Sequence, residues 1–237
     1  MARKEMQTSE RAVNIPIGKV TLHGDLSVPS KPLGLVLFAH GSGSSRRSPR
    51  NRYVAGVLEQ AGIATLLFDL LTEAEERIDE RTAELRFDIG LLASRLRAAT
   101  EWIRGFDNFD TSGRVTPKEI RTGYFGASTG AAAALIAAAG KHDIAAIVSR
   151  GGRPDLAGDA LPLVTAPTLL IVGGHDDVVI GMNEEAKARM RAETRLEIIP
   201  GATHLFEEPG ALEEVARLAR MWFEKHLASA QKRDHAA

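Results

Sequence analysis

Ile120-Arg121-Thr122-Gly123-Tyr124-Phe125 runs straight into Gly126-Ala127-Ser128-Thr129-Gly130, and Ala131 to Ala139 follows as a nearly unbroken series of helix formers. The first six residues read as a short strand and the last nine as a helix, so Ser128 falls at the turn between them. A Gly-x-Ser-x-Gly in that setting is how a serine becomes a nucleophile. The sharp strand-to-helix turn holds it in a strained backbone conformation and lifts its hydroxyl to the top of a sheet. The flanking glycines remove side chains that would collide there. The five letters alone are a weak signal, and the reading requires partners elsewhere in the chain.

Working outward, Leu33 to Ala39, Ile63 to Phe68, Ile144 to Ser149, Thr168 to Val172 and Leu196 to Ile199 are further short, continuous apolar runs, as expected of strands buried on both faces. Val13 to Val28 alternates weakly around Gly24 and predicts an antiparallel pair at the sheet edge. Helical patterns separate the runs. Val54, Val57, Leu58 and Ala61 mark a helix that starts near Ser48-Pro49 and stops at Gly62. Ile89, Leu92, Leu96, Ala99 and Ile103 mark a second, and Leu212, Val215, Ala216, Ala219, Trp222 and Phe223 the last. Strand and helix alternating in this way require right-handed crossovers and a mostly parallel sheet with helices on both faces, a doubly wound α/β domain. Residues 1–12 are expected as a polar leader, 13–228 as one domain and 229–237 as a flexible tail.

Composition narrows the function. The chain has 237 residues, 44% of them hydrophobic, enough to bury a sizeable core. Thirty basic residues against 31 acidic ones give no electrostatic case for nucleic acid or an anionic membrane as a partner. The absence of cysteine rules out disulfides, thiolate metal sites and a cysteine nucleophile. The start, Met1 to Arg11, is polar rather than a signal sequence, and the longest apolar stretch is too short to span a bilayer, so a soluble cytoplasmic protein is expected. A homo-oligomer is compatible with this composition, which carries no signal for one.

In doubly wound sheets the chemistry sits on loops at the carboxyl ends of the strands. Three such ends carry Ser128, then Gly173-Gly174-His175-Asp176-Asp177-Val178, then Pro200-Gly201-Ala202-Thr203-His204. A serine hydroxyl needs a base within hydrogen-bond reach, and that base needs an acceptor to fix its tautomer and stabilise its cation. His204 and Asp176 fit those roles, with Asp177 adjacent and only one of the two carboxylates able to face the histidine. An oxyanion needs two donors. The amide of Thr129 is one, and the Ser42 amide in the turn His40-Gly41-Ser42-Gly43, after the first parallel strand, is the other.

With these segments in hand, the chain resembles the α/β-hydrolase superfamily and within it the small, cap-less dienelactone-hydrolase-like group. The resemblance runs from Leu33 to Phe223 and is carried by the His40-Gly41 turn, the Gly126 to Gly130 elbow, the Gly174-x-Asp176-x-Val178 segment and Gly201-Ala202-Thr203-His204. It implies hydrolysis through a covalent acyl-enzyme without a cofactor, with Ser128 as nucleophile, His204 as base and then acid, and Asp176 as its orienter. It also implies that His40 shapes its turn while backbone amides do the work. Dienelactone hydrolases proper carry cysteine at the nucleophile, so Ser128 points to plain ester chemistry on a small-molecule ester or lactone. Acyl transfer, or cleavage of an amide, thioester or carbon-carbon bond, would use the same residues, and a non-catalytic binding protein on a retired hydrolase fold is a competing reading.

Other features admit two readings each. Arg46, Arg47, Arg50 and Arg52 follow the turn and Arg150 with Arg153 follows another strand end. They are either solvated surface charge, or Arg150 with Arg47 grips a carboxylate or phosphate on the substrate, with Asp69 pairing one of the arginines. His40 is a further candidate for contact with substrate. His175 beside two aspartates lacks the spacing of convergent metal ligands, so no metal is expected. Asn108, Asp110, Ser112, Gly113, Val115 and Glu119 match a calcium-loop spacing in part, but Pro117 intrudes and a strand follows where a helix should, which favours a plain connector. The acidic run Glu73 to Glu84 reads as a mobile loop and partial lid. Arg153 to Pro167, where many relatives insert a cap, is short, so an open pocket and no large cap are expected.

Overall fold

Strands buried on both faces dominate the middle of the chain. A computed structural model describes residues 8–106, 109, 118 and 120–228. Its strands are β1 (Thr8–Ile17), β2 (Val20–Pro29), β3 (Leu35–Ala39), β4 (Ala64–Phe68), β5 (Thr122–Ala127), β6 (Ile144–Arg150), β7 (Thr168–Gly173) and β8 (Thr194–Ile199). Its α-helices are α1 (Pro49–Gln60), α2 (Glu73–Thr82), α3 (Ile89–Arg104), α4 (Thr129–Ala138), α5 (Asp177–Arg189) and α6 (Ala211–Leu227). The calcium-like positions Asn108, Asp110, Ser112, Gly113, Val115 and Glu119 lie outside the described residues, as do 229–237.

One eight-stranded sheet results, in the order β1-β2-β4-β3-β5-β6-β7-β8. β1 and β2 pair antiparallel, β2 pairs antiparallel with β4, and every other neighbour is parallel. The parallel strands β3 to β7 are almost wholly buried, which is why their sequences are continuous rather than alternating. α3 and α4 cover one face, and α1 and α6 cover the other. From β3 the chain steps outward to β4, then returns past β3 to β5 and continues the opposite way. The loops after β3 and β5 therefore part company, and that divergence opens a crevice at the carboxyl end of the sheet. Among the described residues no helix is long and apolar enough to cross a membrane.

Two expectations need correction. β1 begins at Thr8, so the first strand takes in the last residues of the stretch read as a leader. Their polarity reflects an edge strand, paired residue by residue from Thr8 opposite Pro29 to Ile17 opposite Val20. The acidic run is not a mobile loop, since α2 spans it. Thr72 and Glu75 form a reciprocal capping box, and Asp79 accepts from the Arg86 amide at 2.9 Å and from Arg86 Nε at 2.6 Å. Ile78 is exposed, so this helix stands on charge pairing rather than on an apolar face. The short segment after β6 is a 3-10 stretch, Pro154–Leu163, and the described residues form no large cap.

Candidate active site

The turn from β5 into α4 is sterically determined. Ser128 has φ 51° and ψ −121°, a conformation costly to any residue with a Cβ. A Cβ on Gly126 would lie 2.4 Å from Ala131 Cα, and one on Gly130 would lie 2.1 Å from the Ala39 carbonyl oxygen. Both partners are backbone, so neither position tolerates a side chain. Two hydrogen bonds tie the elbow to the end of β6 and the loop after it: Ser128 N–H donates to the Arg150 carbonyl at 3.2 Å, and Arg153 N–H donates to the Ser128 carbonyl at 3.2 Å.

The β7 and β8 ends bring the other two residues together. His204 Nδ1 and Asp176 Oδ2 are 2.6 Å apart, a charge-assisted distance. Asp177 instead opens α5, where a carboxylate favours the helix dipole. A Cβ on Gly151, the residue after Arg150, would lie 3.5 Å from His204 Cε1. The loop after β6 thus touches both the serine elbow and the histidine. In this conformation the Ser128 hydroxyl and His204 form no hydrogen bond. Asn183 was missed by sequence reasoning because a lone asparagine within a helix gives no pattern. It is fully buried and donates to the Gly152 carbonyl at 3.1 Å and to the Val179 carbonyl at 2.8 Å, tying α5 to that same loop.

The turn after β3 packs directly on the elbow: a Cβ on Gly41 would meet Ser128 Cβ at 3.0 Å. The amides of Ser42 and Thr129 donate to no acceptor among the described residues, as two oxyanion donors require. His40 is buried with both ring nitrogens engaged, Nδ1 with the Gly41 carbonyl at 3.0 Å and Nε2 accepting from Leu70 N–H at 3.0 Å. That pattern fixes the neutral tautomer, and burial lowers its pKa. His40 therefore staples the β3 turn to the β4 loop, and its polar atoms are not available to bind a substrate. A cavity of about 110 Å³ lies beside this turn, lined by His40, Ser42, Thr129, Leu92, Glu76 and Arg86 among others. α2 forms one wall of it. Partial burial, and after it the neighbouring carboxylates, raise the pKa of Glu76 on that wall.

The arginines divide. Arg46 pairs with Asp69, as the sequence reading allows, and Arg153 pairs with Asp155 at 2.8 Å. Arg52 reaches Asp25 and Glu10, both at 3.3 Å. Arg47 is exposed on the outer surface of the turn, and the structure does not bring it to Arg150. Arg150 is buried, 9% exposed, on the sheet face that carries α1 and α6, where its Nη2 donates to Asn51 Oδ1 at 3.4 Å. His175 is exposed, and among the described residues no group of three or more histidine, cysteine, aspartate or glutamate side chains gathers as a metal site.

A doubly wound sheet with a strained serine elbow after β5, a paired aspartate and histidine after β7 and β8, and free amides after β3 and β5 is the α/β-hydrolase architecture. Est1E from Butyrivibrio proteoclasticus shares it with a TM-score of 0.70 over 92% of this chain and 99% of that one, at 17% identity. A dienelactone hydrolase from Anabaena variabilis matches far more closely, with a TM-score of 0.88 and 59% identity over 93% of this chain and 99% of its own. The chain belongs to the dienelactone hydrolase family. A Mycobacterium tuberculosis protein named as a putative phosphoribosyl transferase is 56% identical over 219 residues, 92% of this chain but 47% of that protein. The chain thus spans about half the length of the curated relatives it matches. No family model matches it.

Proposed function

We propose that this chain is a serine hydrolase that cleaves a small carboxyl ester or lactone through an acyl-enzyme on Ser128. The observation that carries the reading is the 2.6 Å contact between His204 Nδ1 and Asp176 Oδ2, at the same edge of the sheet as a serine held at φ 51°. With Nδ1–H donating to Asp176, the His204 Nε2 lone pair is free to take the Ser128 proton. The serine oxygen attacks the ester carbonyl, and the oxyanion settles between the Ser42 and Thr129 amides, each contributing about 10²–10³ in rate. His204 returns the proton to the departing alcohol, then activates a water that releases the acid and restores the serine. Such catalytic hydrogen bonds commonly tighten only with substrate in place, as the Ser128 hydroxyl must do here. The dienelactone hydrolase relative, 59% identical, supports ester or lactone chemistry over other acyl transfers.

The test is labelling with a fluorophosphonate probe alongside turnover of p-nitrophenyl acetate. Wild type labels and turns over, whereas Ser128→Ala does neither while keeping its thermal midpoint. A wild-type protein that stays unlabelled, or a Ser128→Ala variant of full activity, refutes the assignment.

A further inference from the structure

Arg150 carries a charge that the described part of the protein does not balance. It ends β6 on the same face as Ala146 and Val148, whose side chains pack with α1 and α6. Its Nη2 has the 3.4 Å contact with Asn51, but Nε and Nη1 are buried with no hydrogen-bond partner. The neighbouring cation is Arg50, whose Nη1 donates to Glu207 Oε1 at 3.2 Å while its Nε is likewise buried and unpartnered. Glu207 is 66% exposed and answers Arg50, and no carboxylate pairs with Arg150 among the described residues. Burial and the charge of Arg50 pull the Arg150 pKa down to about 10, which still leaves it cationic at neutral pH. Arg50 is a third exposed and has Glu207 as its counter-charge, whereas Arg150 is a buried guanidinium with none among the described residues, a costly arrangement to fold around.

We propose that Arg150, with Arg50 and the first turn of α1, forms a site for a small oxyanionic group, a carboxylate or a phosphate. Three buried donors of these two side chains have no partner among the described residues: Arg150 Nε and Nη1, and Arg50 Nε. α1 contributes the positive end of its dipole at Pro49 to Asn51, next to the guanidinium of Arg150. Guanidinium groups bind planar carboxylates and phosphates through paired hydrogen bonds, whereas a neutral ligand would leave the charge uncompensated. The site adjoins the serine elbow, because the Arg150 carbonyl accepts the Ser128 amide and Gly151 abuts His204. Its occupant is therefore either a free anion or the acid group of an ester positioned at Ser128. The second alternative rests on the hydrolase reading, and the first does not.

Thermal unfolding of the full chain at constant ionic strength, with chloride replaced stepwise by phosphate or acetate, tests the binding itself. Wild type is expected to gain several degrees in a saturable way, and Arg150→Met to gain nothing. Met fills much of the same volume without charge, and if that variant folds poorly, Arg50→Gln at the half-exposed neighbour should weaken the response. Equal responses in wild type and both variants would overturn the site. A second arm compares kcat/KM for p-nitrophenyl acetate with that for the p-nitrophenyl monoester of succinate. If the site holds the substrate's acid group, Arg150→Met lowers the ratio in favour of the succinate ester by about ten- to a hundredfold. An unchanged ratio beside an abolished thermal response rejects the substrate alternative and leaves a free-anion site. Because the thermal arm does not use turnover, it stands even if Ser128 proves unreactive.

Discussion

Replacing Glu75 by glutamine tests why an acidic, nearly apolar-free stretch folds as α2. The carboxylate accepts from Thr72 N–H at 2.8 Å and from Arg95 Nη1 at 2.7 Å, while Arg95, 6% exposed, also donates to the Leu70 carbonyl at 2.6 Å. The Arg95 hydrogen bonds, foremost, hold the Glu75 pKa down at about 2 from an ordinary 4.5. That difference corresponds to about 3 kcal/mol between the two protonation states. Because the carboxylate is partly hydrated, screening reduces its contribution to about 1–2 kcal/mol. Stranding the buried Arg95 charge adds to the loss, so Glu75→Gln should cost about 2–3 kcal/mol at pH 7. A pKa lowered on folding stabilises above pH 4.5 and loses its effect as pH falls towards 2. The gap between wild type and variant, read from urea unfolding followed by circular dichroism, should therefore shrink by roughly half at pH 3.5. Since α2 walls the cavity with Glu76, Asp79 and Glu80, KM should rise more than kcat falls. A gap below about 0.5 kcal/mol at pH 7, the size of an ordinary surface substitution, or one indifferent to pH, would refute the reasoning.

Asp176→Asn should lower kcat by about 10³–10⁴ through the wrong histidine tautomer, whereas steady-state kinetics of Asp177→Asn should stay within a few-fold of wild type, with slightly reduced stability from its place in the first turn of α5. Gly130→Ala, whose Cβ meets the Ala39 carbonyl at 2.1 Å, should lose about 3 kcal/mol or fail to fold, while Gly181→Ala, in open space on α5, should gain about 0.5–1 kcal/mol by chemical denaturation. Thr129 is buried with its hydroxyl unpartnered, so Thr129→Val should raise the unfolding free energy by about 1 kcal/mol, and a loss of stability would show that the hydroxyl has a partner after all.

The sequence by itself determined the strands and most of the helices, because burial on two faces leaves continuous apolar runs and burial on one leaves a 3.6-residue period. β3 to β7 and α1, α3, α4 and α6 were legible for that reason, whereas β8, read as buried on both faces, is a half-exposed edge strand whose short apolar run is broken by Glu197. It also gave the order of serine, aspartate and histidine, since each sits where a strand stops. α2 escaped notice because its stabilisation lies in Thr72, Glu75 and Arg95, residues that meet only in space. α5 escaped because its buried positions include an asparagine. Tertiary structure brought Asp176, the carboxylate the family resemblance implies, rather than Asp177 to His204, and alone decided that Arg46 pairs with Asp69 and that Arg150 turns inward beside Arg50 while Arg47 stays outside. The physical reason is common to all three. Apolar burial is roughly proportional to area and writes a repeat into the chain, whereas a charge or a hydrogen-bonding atom acts over a few ångströms, and its partner depends on where loops distant in sequence converge.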